Sequence, residues 1–361
     1  MLLVCILLML CPTLATAASL TMGPSDCLAC AVQQLQPGDT LTVPAGTYGP
    51  LEGAADGRPS GTASQPITIQ AAPGATVVSR GLGLGNGQSY VTIKGIIFDA
   101  GNVPESNCIH LGGGAHHLTV EGGECRNAGV DGLTIFYGGP QLKPHDITIR
   151  GMKIHHNGYH TSIAPYVGHG LYINGDNITI ACNEIYGNAG AGLQFGGYVE
   201  AGNNNVVRGN LVYANAGKRE VTSCGIQTSI GRDVRIEENW VRDEPTCGIQ
   251  VAWTTSAMHT EVARNTLDRV SGTAFLVFNG PSQTSIHHNL VINSPGTRLL
   301  YQDNDTQTTF TDNATSTPAP AGVGAPVGAT GITAAGSQCG GSPVRPPLPA
   351  PRNLRVLAVT P

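Results

Sequence analysis

The chain has 361 residues, of which 49 are glycine and only 12% are charged, and its formal net charge is −5 at pH 7. A protein built mainly from exposed helices would carry more glutamate, lysine and arginine, so this composition favours a β-rich body with many turns. The slightly negative charge and the lack of a basic cluster exclude a nucleic-acid-binding surface.

The first 17 residues predict a secretory signal peptide. An apolar run over residues 2–10 precedes a small-residue cleavage pattern at 15–17. Cleavage there removes Cys5 and Cys11 from the ten cysteines and leaves an even set of eight, which favours disulfide bonds in an exported chain. We therefore expect a secreted protein, extracellular or periplasmic. No later stretch is long and apolar enough to span a membrane.

Residues 18–40 predict a cap over the first strand. Asp26, with the serine before it, is suited to begin a short amphipathic helix that ends at Pro37. An open stack of strands needs such a cover over its first edge. Cys27 and Cys30 have the spacing of a metal or redox motif, but no second pair completes a metal site and no βαβ pattern surrounds them. Structural pairing is favoured, within the cap or with a cysteine elsewhere.

Strands are predicted from residue 40 onward, at 41–43, 67–69 and 77–78, with a turn at 44–48. Residues 169–190 then contain one complete unit of a repeat. Apolar residues alternate with polar ones in two short runs of this unit, and a third run follows a turn, so the unit predicts three short strands and no helix. Matching turn positions recur at Ile96, Gly123, Met152, Asn183, Asn210, Asn239, Asn265 and Asn289. Matching strand positions recur at Ile109, Leu133, Leu171, Leu193, Ile226, Ile249, Phe275 and Leu299.

Such strands bury their apolar side chains when the chain coils and each strand pairs with its counterpart in the next coil. The sequence therefore predicts an all-β solenoid, a parallel β-helix with three short strands per coil. Its core is expected to contain Leu171, Ile173, Ile178, Ile180 and Ile185. The asparagines at the repeated turn position are expected to form a ladder of side-chain hydrogen bonds along the axis.

The pattern over roughly residues 40–300 resembles the right-handed parallel β-helix family typified by pectate lyases. The first coils, with residues 35–48 and 61–69, are similar to those of chondroitinase-B-like and alginate lyases. The resemblance implies a secreted, polysaccharide-directed protein, and it does not by itself imply catalysis.

The resemblance supplies no catalytic residues. Gly168-His169-Gly170 is similar to a motif of the polygalacturonase branch of this fold, but the paired aspartates and the basic motif that accompany it there are missing here. The lysine and arginine constellation and the acidic calcium ligands of the chondroitinase-B-like lyases are missing as well.

Uneven coil lengths predict the position of a groove. Extra residues enter between 136 and 145, 157 and 169, 196 and 205, and 216 and 224. Long loops around one strand face form walls. We place the groove beside the repeated strand that begins at Ile109, Leu133 and Leu171. Between the two core residues of this strand in each coil, the outward side chains form a polar column suited to binding a sugar chain, namely His110, Thr134, Tyr172, Gln194, Gln227 and Gln250.

Cleavage of a uronic-acid polymer by β-elimination needs a group that neutralises the carboxylate, a base for the C5 proton and an acid for the leaving oxygen. We expect His169 as the base and Tyr172 or Tyr166 as the acid, and the candidates for neutralisation are Lys143, Arg150 and His145. Asp131 is expected beside His169 across one coil step, where a carboxylate orients an imidazole and raises its pKa.

Two alternatives to a lyase stay open. One is a groove that only binds glycans, with Tyr172 as a stacking platform. The other is a hydrolase or epimerase that uses Asp131 with His169. The paired histidines at 116–117, 155–156 and 287–288 occupy turn and ladder positions, where stacking and hydrogen bonding suffice to explain them.

The remaining cysteines offer two further disulfide candidates. Cys224 and Cys247 fall in one column at a spacing suited to a disulfide. Cys108 and Cys125 lie in one coil and could pair across it.

The expected partner is an acidic polysaccharide, and we expect a monomer with neither a nucleic-acid partner nor a membrane span. Calcium is considered only where Asp131 and Asn107 stack. Two oxygen ligands fall well short of the roughly six to eight that calcium takes, so no cofactor is firmly predicted.

The repeat ends after about Thr311. Residues 316–351 are rich in proline, alanine and glycine and predict an extended linker. Residues 352–361 resemble the first strand of a fibronectin-III-like module. The expected organisation is a signal peptide at 1–17, a capped β-helix at 18–315 and a linker and tail at 316–361.

Overall fold

The computed structural model describes residues 17–23, 26–136, 142–160, 168–196, 202–217, 223–229, 231–252, 259–278, 283–294, 297–303 and 307–315, together with the backbone of 355–357. The signal peptide, apart from Ala17, and most of the predicted linker and tail lie outside these residues. In the described part, parallel strands stack coil upon coil, so the predicted parallel β-helix is confirmed.

A narrow sheet of ten parallel strands forms one side of the β-helix in the described chain. Its strands are β4 (Leu51–Glu52), β7 (Leu82–Leu84), β9 (Ile109–Leu111), β11 (Leu133–Ile135), β14 (Leu171–Ile173), β17 (Leu193–Phe195), β21 (Cys224–Thr228), β25 (Cys247–Ala252), β28 (Thr273–Phe278) and β31 (Arg298–Asp303).

A wide sheet of 22 strands forms the rest of the wall. One row of it contains β1 (Ser19–Thr21), β2 (Thr40–Val43), β5 (Ile67–Ala71), β8 (Ser89–Asp99), β10 (His116–Arg126), β12 (His145–Arg150), β15 (Thr179–Ala181), β19 (Val206–Arg208), β23 (Arg235–Glu237), β26 (Glu261–Ala263), β29 (Ser285–His287) and β32 (Thr309–Thr311). The long strands β8 and β10 continue into a second row, which also contains β3 (Gly46–Tyr48), β6 (Val77–Ser79), β13 (Lys153–His155), β16 (Glu184–Tyr186), β20 (Leu211–Tyr213), β24 (Trp240–Arg242), β27 (Thr266–Asp268), β30 (Leu290–Ile292), β33 (Asn313–Thr315) and β34 (Arg355–Leu357). A small separate sheet pairs β18 (Gly202–Asn203) with β22 (Gly231–Arg232).

Like residues stack on like residues in the core. Leu133 pairs with Leu171, which pairs with Leu193, and all three are fully buried. The five residues predicted for the core of the 169–190 unit are also buried, at 1% exposure or less. Burial of a leucine or isoleucine side chain contributes roughly 1.5–3 kcal/mol, so each additional coil extends a continuous apolar column that stabilises its neighbours.

The predicted asparagine ladder is confirmed. From Asn210 onward, each side-chain Oδ1 accepts from the backbone N–H of the asparagine one coil earlier, whereas Oδ1 of Asn183 accepts from the N–H of Met152. From Asn183 to Asn289, each Nδ2 group donates to the next Oδ1 along the axis at 2.9–3.0 Å. The ladder contains Asn183, Asn210, Asn239, Asn265, Asn289 and also Asn313, which the sequence alignment missed. These amides satisfy backbone groups that the turn leaves unpaired in the core.

The cap differs from the prediction in detail. The helix α1 spans only Leu28–Val32, and its N-cap is Cys27, whose sulfur accepts from the backbone N–H of Cys30. The first strand edge is covered by β1, which pairs with β2, rather than by the helix alone. The predicted turn at 44–48 is also wrong in part, because residues 46–48 form β3.

Two predicted disulfides are present and one is not. Cys27 is bonded to Cys30, and Cys224 is bonded to Cys247. Cys108 and Cys125 are buried free thiols, so their proposed pairing is wrong.

The Cys108 sulfur donates instead to the carbonyl oxygen of Phe98 at 3.0 Å. Burial and the neighbouring Cys108 thiol raise the pKa of Cys125 well above its ordinary value. The thiolate needed for disulfide formation is therefore strongly disfavoured. Cys182 is also disulfide-bonded.

The predicted tail contributes one strand to the wide sheet. The backbone of β34 pairs antiparallel with β33, next to the last coil of the second row. No helix in the described part of the chain is long and apolar enough to cross a membrane.

Candidate functional site

The predicted polar column lies in register on the narrow sheet. His110 pairs with Thr134, Thr134 with Tyr172, and Tyr172 with Gln194. The column continues through Gln227 and Gln250. Because consecutive strands lie about 4.8 Å apart, these side chains form one continuous row across six coils.

The column is not equally accessible along its length. His110 is exposed, and Tyr172 and Gln194 are half-buried. Thr134 and Gln227 are only 5% exposed and Gln250 only 1%. A ligand that lies along the described surface therefore meets the first half of the column, around Tyr172.

The buried glutamines form part of the wall beneath that surface. Gln227 donates through Nε2 to Oε1 of Gln194 at 2.5 Å, and its own Oε1 accepts from the backbone N–H of Cys224. Among the residues that the structure describes, the Nε2 group of Gln250 has no hydrogen-bond partner. Of the three glutamines predicted to contact a substrate, only Gln194 is accessible in the described structure.

His110 and Thr134 are linked by a hydrogen bond of 2.8 Å between Nδ1 and Oγ1. The ring of His110 reaches over Gly112, where a Cβ atom would lie 2.7 Å from Nε2. Although the side chain is exposed to solvent on one side, the surrounding protein atoms desolvate the ring and lower its pKa. His110 is consequently a neutral hydrogen-bonding group near neutral pH.

Tyr172 lies over a second glycine of the same sheet. A Cβ atom on Gly196 would be 3.0 Å from Cε2 of Tyr172 and 3.1 Å from its hydroxyl oxygen. The absence of a side chain at 196 therefore gives the ring room to lean along the column. The sequence prediction did not include Gly112 or Gly196. Each of these glycines directly follows the second core residue of its strand, where other coils carry larger side chains, and this difference could have identified them.

His169 packs behind Tyr172, with the ring centroids 6.0 Å apart and an interplanar angle of 16°. Its side chain is only 2% exposed. Its Nδ1 accepts a hydrogen bond of 3.0 Å from the backbone N–H of Ala191. The neutral imidazole therefore carries its proton on Nε2.

This tautomer bears on the predicted role of His169 as a base. With Nδ1 occupied by the Ala191 amide and Nε2 protonated, neither nitrogen offers a lone pair to a substrate proton. The geometry instead favours His169 as a residue that supports the ring of Tyr172.

Asp131 is a neighbour of His169, as predicted, but it contacts the backbone. Its Oδ1 accepts from the N–H groups of Gly168 at 3.0 Å and His169 at 2.7 Å. It therefore holds the chain before β14 in place rather than orienting the imidazole.

The calcium expectation gains no support from this arrangement. Oδ1 of Asn107 accepts from the backbone N–H of Asp131 at 3.2 Å, so the stacked oxygens already serve backbone amides.

The candidates for carboxylate neutralisation lie in different places. The Lys143 ammonium forms an ion pair of 2.7 Å with Asp176, just after β14. Arg150 and His145 both belong to β12 of the wide sheet, where Arg150 pairs with Glu121. The structure thus places Arg150 and His145 on another sheet from Tyr172, because β12 follows the turn that leaves the narrow sheet. Tyr166 lies outside the described residues.

Comparison with known proteins agrees with this architecture. The family model described as "Right handed beta helix region" matches residues 80–267 and 146–315. No curated protein sequence matches the chain.

Solved structures show a likeness of fold at low identity. An alginate lyase from Paenibacillus sp. str. FPU-7 is 18% identical over 79% of this chain and 99% of its own, with a TM-score of 0.56. The pectate lyase Pel9A is 13% identical over 82% of this chain and 76% of its own, with a TM-score of 0.56. The lacto-N-biosidase of family GH136 from Eubacterium ramulus is 14% identical over 80% of this chain and 64% of its own, with a TM-score of 0.53.

The two ranges matched by the family model overlap and together run from residue 80 to residue 315, which is more than half of the 361 residues. Stacked parallel strands and buried apolar columns occur in the described residues of this range, and the asparagine ladder runs from Asn183 to Asn313. The chain therefore belongs to the family of proteins with a right-handed β-helix region.

Proposed function

We propose that this protein binds an acidic polysaccharide along the narrow sheet and cleaves it by β-elimination at Tyr172. The observation that carries the proposal is the position of Tyr172, which leans along the sheet between the accessible hydrogen-bonding side chains of His110 and Gln194. A sugar chain offers many hydroxyl groups and apolar ring faces, and this row supplies both hydrogen bonds and an aromatic surface. The alginate and pectate lyases with a similar fold support the substrate class.

The reaction follows from the groups at this position. In a syn elimination, a tyrosine in its deprotonated form takes the proton from C5, and the hydroxyl group formed in this way gives the proton to the leaving oxygen. The C4–O bond breaks, a C4–C5 double bond forms, and the tyrosinate is regenerated. Tyr172 is suited to both proton transfers, since His169 has no accessible lone pair. His169 and Asp131 act as positioning residues, His169 by packing against the ring and Asp131 by fixing the backbone.

Lys143 is the group we assign to neutralise the substrate carboxylate. It extends from the segment before β12 to Asp176, close to the end of β14. A substrate carboxylate would share its ammonium group with Asp176, and a cation positioned in this way stabilises negative charge that develops at C5.

The experiment is a substrate screen with a matched pair of tyrosine variants. Wild-type protein is incubated with pectate, alginate and glycosaminoglycans, and the ultraviolet absorbance of the unsaturated product is followed. Tyr172→Phe keeps the ring and removes the hydroxyl group, so we expect it to lose about 100-fold or more of the activity while it still binds the polysaccharide. Tyr186→Phe is the matched control, because Tyr186 lies on the wide sheet and stacks on Tyr213.

The outcomes separate the three candidate functions. Full lyase activity in Tyr172→Phe would remove Tyr172 from the mechanism. Reducing ends without the ultraviolet signal would indicate a hydrolase. Binding without any product would support the non-catalytic alternative.

A further inference from the structure

Three histidines from two consecutive coils meet on the wide sheet, away from the polar column. The ligand atoms of His116, His117 and His145 all lie within 4.8 Å of one another. His116 begins β10, and His145 begins β12 and pairs with it in register. Their two rings are parallel, with an interplanar angle of 3° and centroids 4.8 Å apart.

Backbone geometry brings the first two imidazoles together. His116 is extended, whereas His117 has a left-handed φ of +52°. This change of direction sets the two Nδ1 atoms 2.8 Å apart. Two nitrogen ligands at that separation, each about 2.0 Å from a metal ion, subtend an angle of about 90° at the metal. That angle suits the square-planar or octahedral geometry of copper(II) and nickel(II) better than a tetrahedral zinc site.

A carboxylate orients the third imidazole. Oδ2 of Asp146 lies 2.7 Å from Nδ1 of His145, and Nδ2 of Asn177 donates to the other Asp146 oxygen at 3.0 Å. A histidine that donates Nδ1–H to a carboxylate presents an Nε2 lone pair, which is the usual second-sphere arrangement in metal sites.

An aromatic ring covers part of this cluster. The ring of Tyr90 stacks on His117 with the centroids 4.5 Å apart and closes one side of the cluster.

Two other pairs of adjacent histidines in the chain can be compared with this cluster. His155–His156 and His287–His288 repeat the same arrangement, with Nδ1 atoms 2.7 Å and 2.8 Å apart. In both pairs the Nε2 atom of the first histidine contacts a glutamate, at 3.3 Å and 3.1 Å. In the described chain, the pair at 116–117 alone has a third imidazole within ligand distance.

We propose that His116, His117 and His145 form a binding site for a late first-row divalent metal ion, with copper(II) preferred. Among these ions copper(II) binds nitrogen ligands most tightly, and the short separation of the two Nδ1 atoms fits its geometry. A bound ion would link β10 to β12 and so hold two coils together. It would stabilise the folded protein because the three ligands are assembled only in that state.

The test uses full-length, untagged protein and copper(II) alone as the probe. Wild-type protein should bind one equivalent tightly, show nitrogen hyperfine coupling in its electron paramagnetic resonance spectrum and unfold at a higher temperature with copper than without it. His145→Gln should weaken binding about 100-fold or more and change the nitrogen coupling. His117→Asn is a second variant at an exposed position, and asparagine tolerates the left-handed backbone there.

His288→Gln is the matched control, since it breaks one of the two-histidine arrangements and leaves the three-histidine cluster intact. Binding of the first equivalent should be unchanged in this variant. Equal copper affinity and identical spectra for wild type and His145→Gln would overturn the proposal. An equal loss of affinity in His288→Gln would overturn it as well, because binding would then not depend on the third imidazole.

Discussion

Replacing Glu244 by glutamine should remove the pH dependence of stability that this residue imposes. Glu244 is 1% exposed and ends a second ladder, formed by Asn157, Asn188 and Asn215. Its Oε1 accepts from Nδ2 of Asn215 at 2.9 Å, while its Oε2 has no hydrogen-bond partner in the described part of the chain. Burial raises the pKa of Glu244 from 4.5 to about 8, so the carboxyl group is protonated in the folded protein at neutral pH.

The sign and size of the effect follow from proton linkage. The folded state binds a proton that the unfolded state has released, so the contribution of Glu244 to stability is full below about pH 4.5 and is lost as the pH rises to about 8. At about 1.4 kcal/mol for each pH unit, the interval between the two pKa values corresponds to about 5 kcal/mol. Glutamine does not titrate, but it buries a further N–H group at a roughly constant cost of about 1–3 kcal/mol.

The assay is urea-induced unfolding of both proteins at a series of pH values from 4 to 8.5. We expect Glu244→Gln to be less stable than wild type at pH 4 and more stable at pH 8.5. Glu121→Gln is the control with the opposite sign. Burial would raise the pKa of Glu121, but its ion pairs with Lys94 and Arg150 lower it overall, so its contribution is lost as the pH falls. A difference between Glu244→Gln and wild type that stays constant with pH would refute the reasoning.

Three further predictions concern the architecture. Asn239→Ala should lower the unfolding free energy by about 4 kcal/mol in urea titrations, because it removes a buried amide with four hydrogen bonds; a change below about 1 kcal/mol would show that the ladder is not stabilising. Replacing both Cys224 and Cys247 by serine should lower the unfolding free energy by about 3 kcal/mol in urea titrations, since their disulfide closes a loop with a sequence separation of 23, and an unchanged free energy would contradict this role. Gly123→Ala should lower the melting temperature by several degrees, because Gly123 has a φ of +95° and a Cβ atom there would collide with the carbonyl oxygen of Ile96, and an unchanged melting temperature would contradict that packing.

The repeat made most of the fold predictable. Leu171, Leu193 and Asn183 could be placed because each occupies a position that recurs in every coil, and burial forces the register of such positions. The cap was less predictable. Its helix begins after Cys27, which is the N-cap and is disulfide-bonded to Cys30, whereas the sequence pattern indicated Asp26. The free thiols show the same limit, because Cys108 and Cys125 are neighbours as predicted, yet the sequence does not indicate that they stay reduced.

The order of residues along the candidate site could be predicted from the sequence, but their hydrogen bonds and the positions of their protons could not. The register places Asp131 beside His169, yet the carboxylate can bind either the imidazole or the backbone, and it binds the backbone. The proton of His169 is fixed by Ala191, one coil further along the chain. Which of these hydrogen bonds forms depends on the exact path of the backbone, which a pattern of residue types does not specify.

The two sites that we propose, around Tyr172 and around His116, arise from the same physical cause. In a stack of nearly identical coils, most polar side chains bond to their counterparts above and below, as the asparagines do, and this leaves little capacity for a ligand. A binding site arises where one coil breaks the pattern. At Tyr172 the break is Gly196, which lets the ring lean out of its own coil. At His116 it is His145, an imidazole at a position where the preceding and following coils carry His116 and Asp176. Function in this fold is therefore best sought at departures from the repeat rather than at its most regular positions.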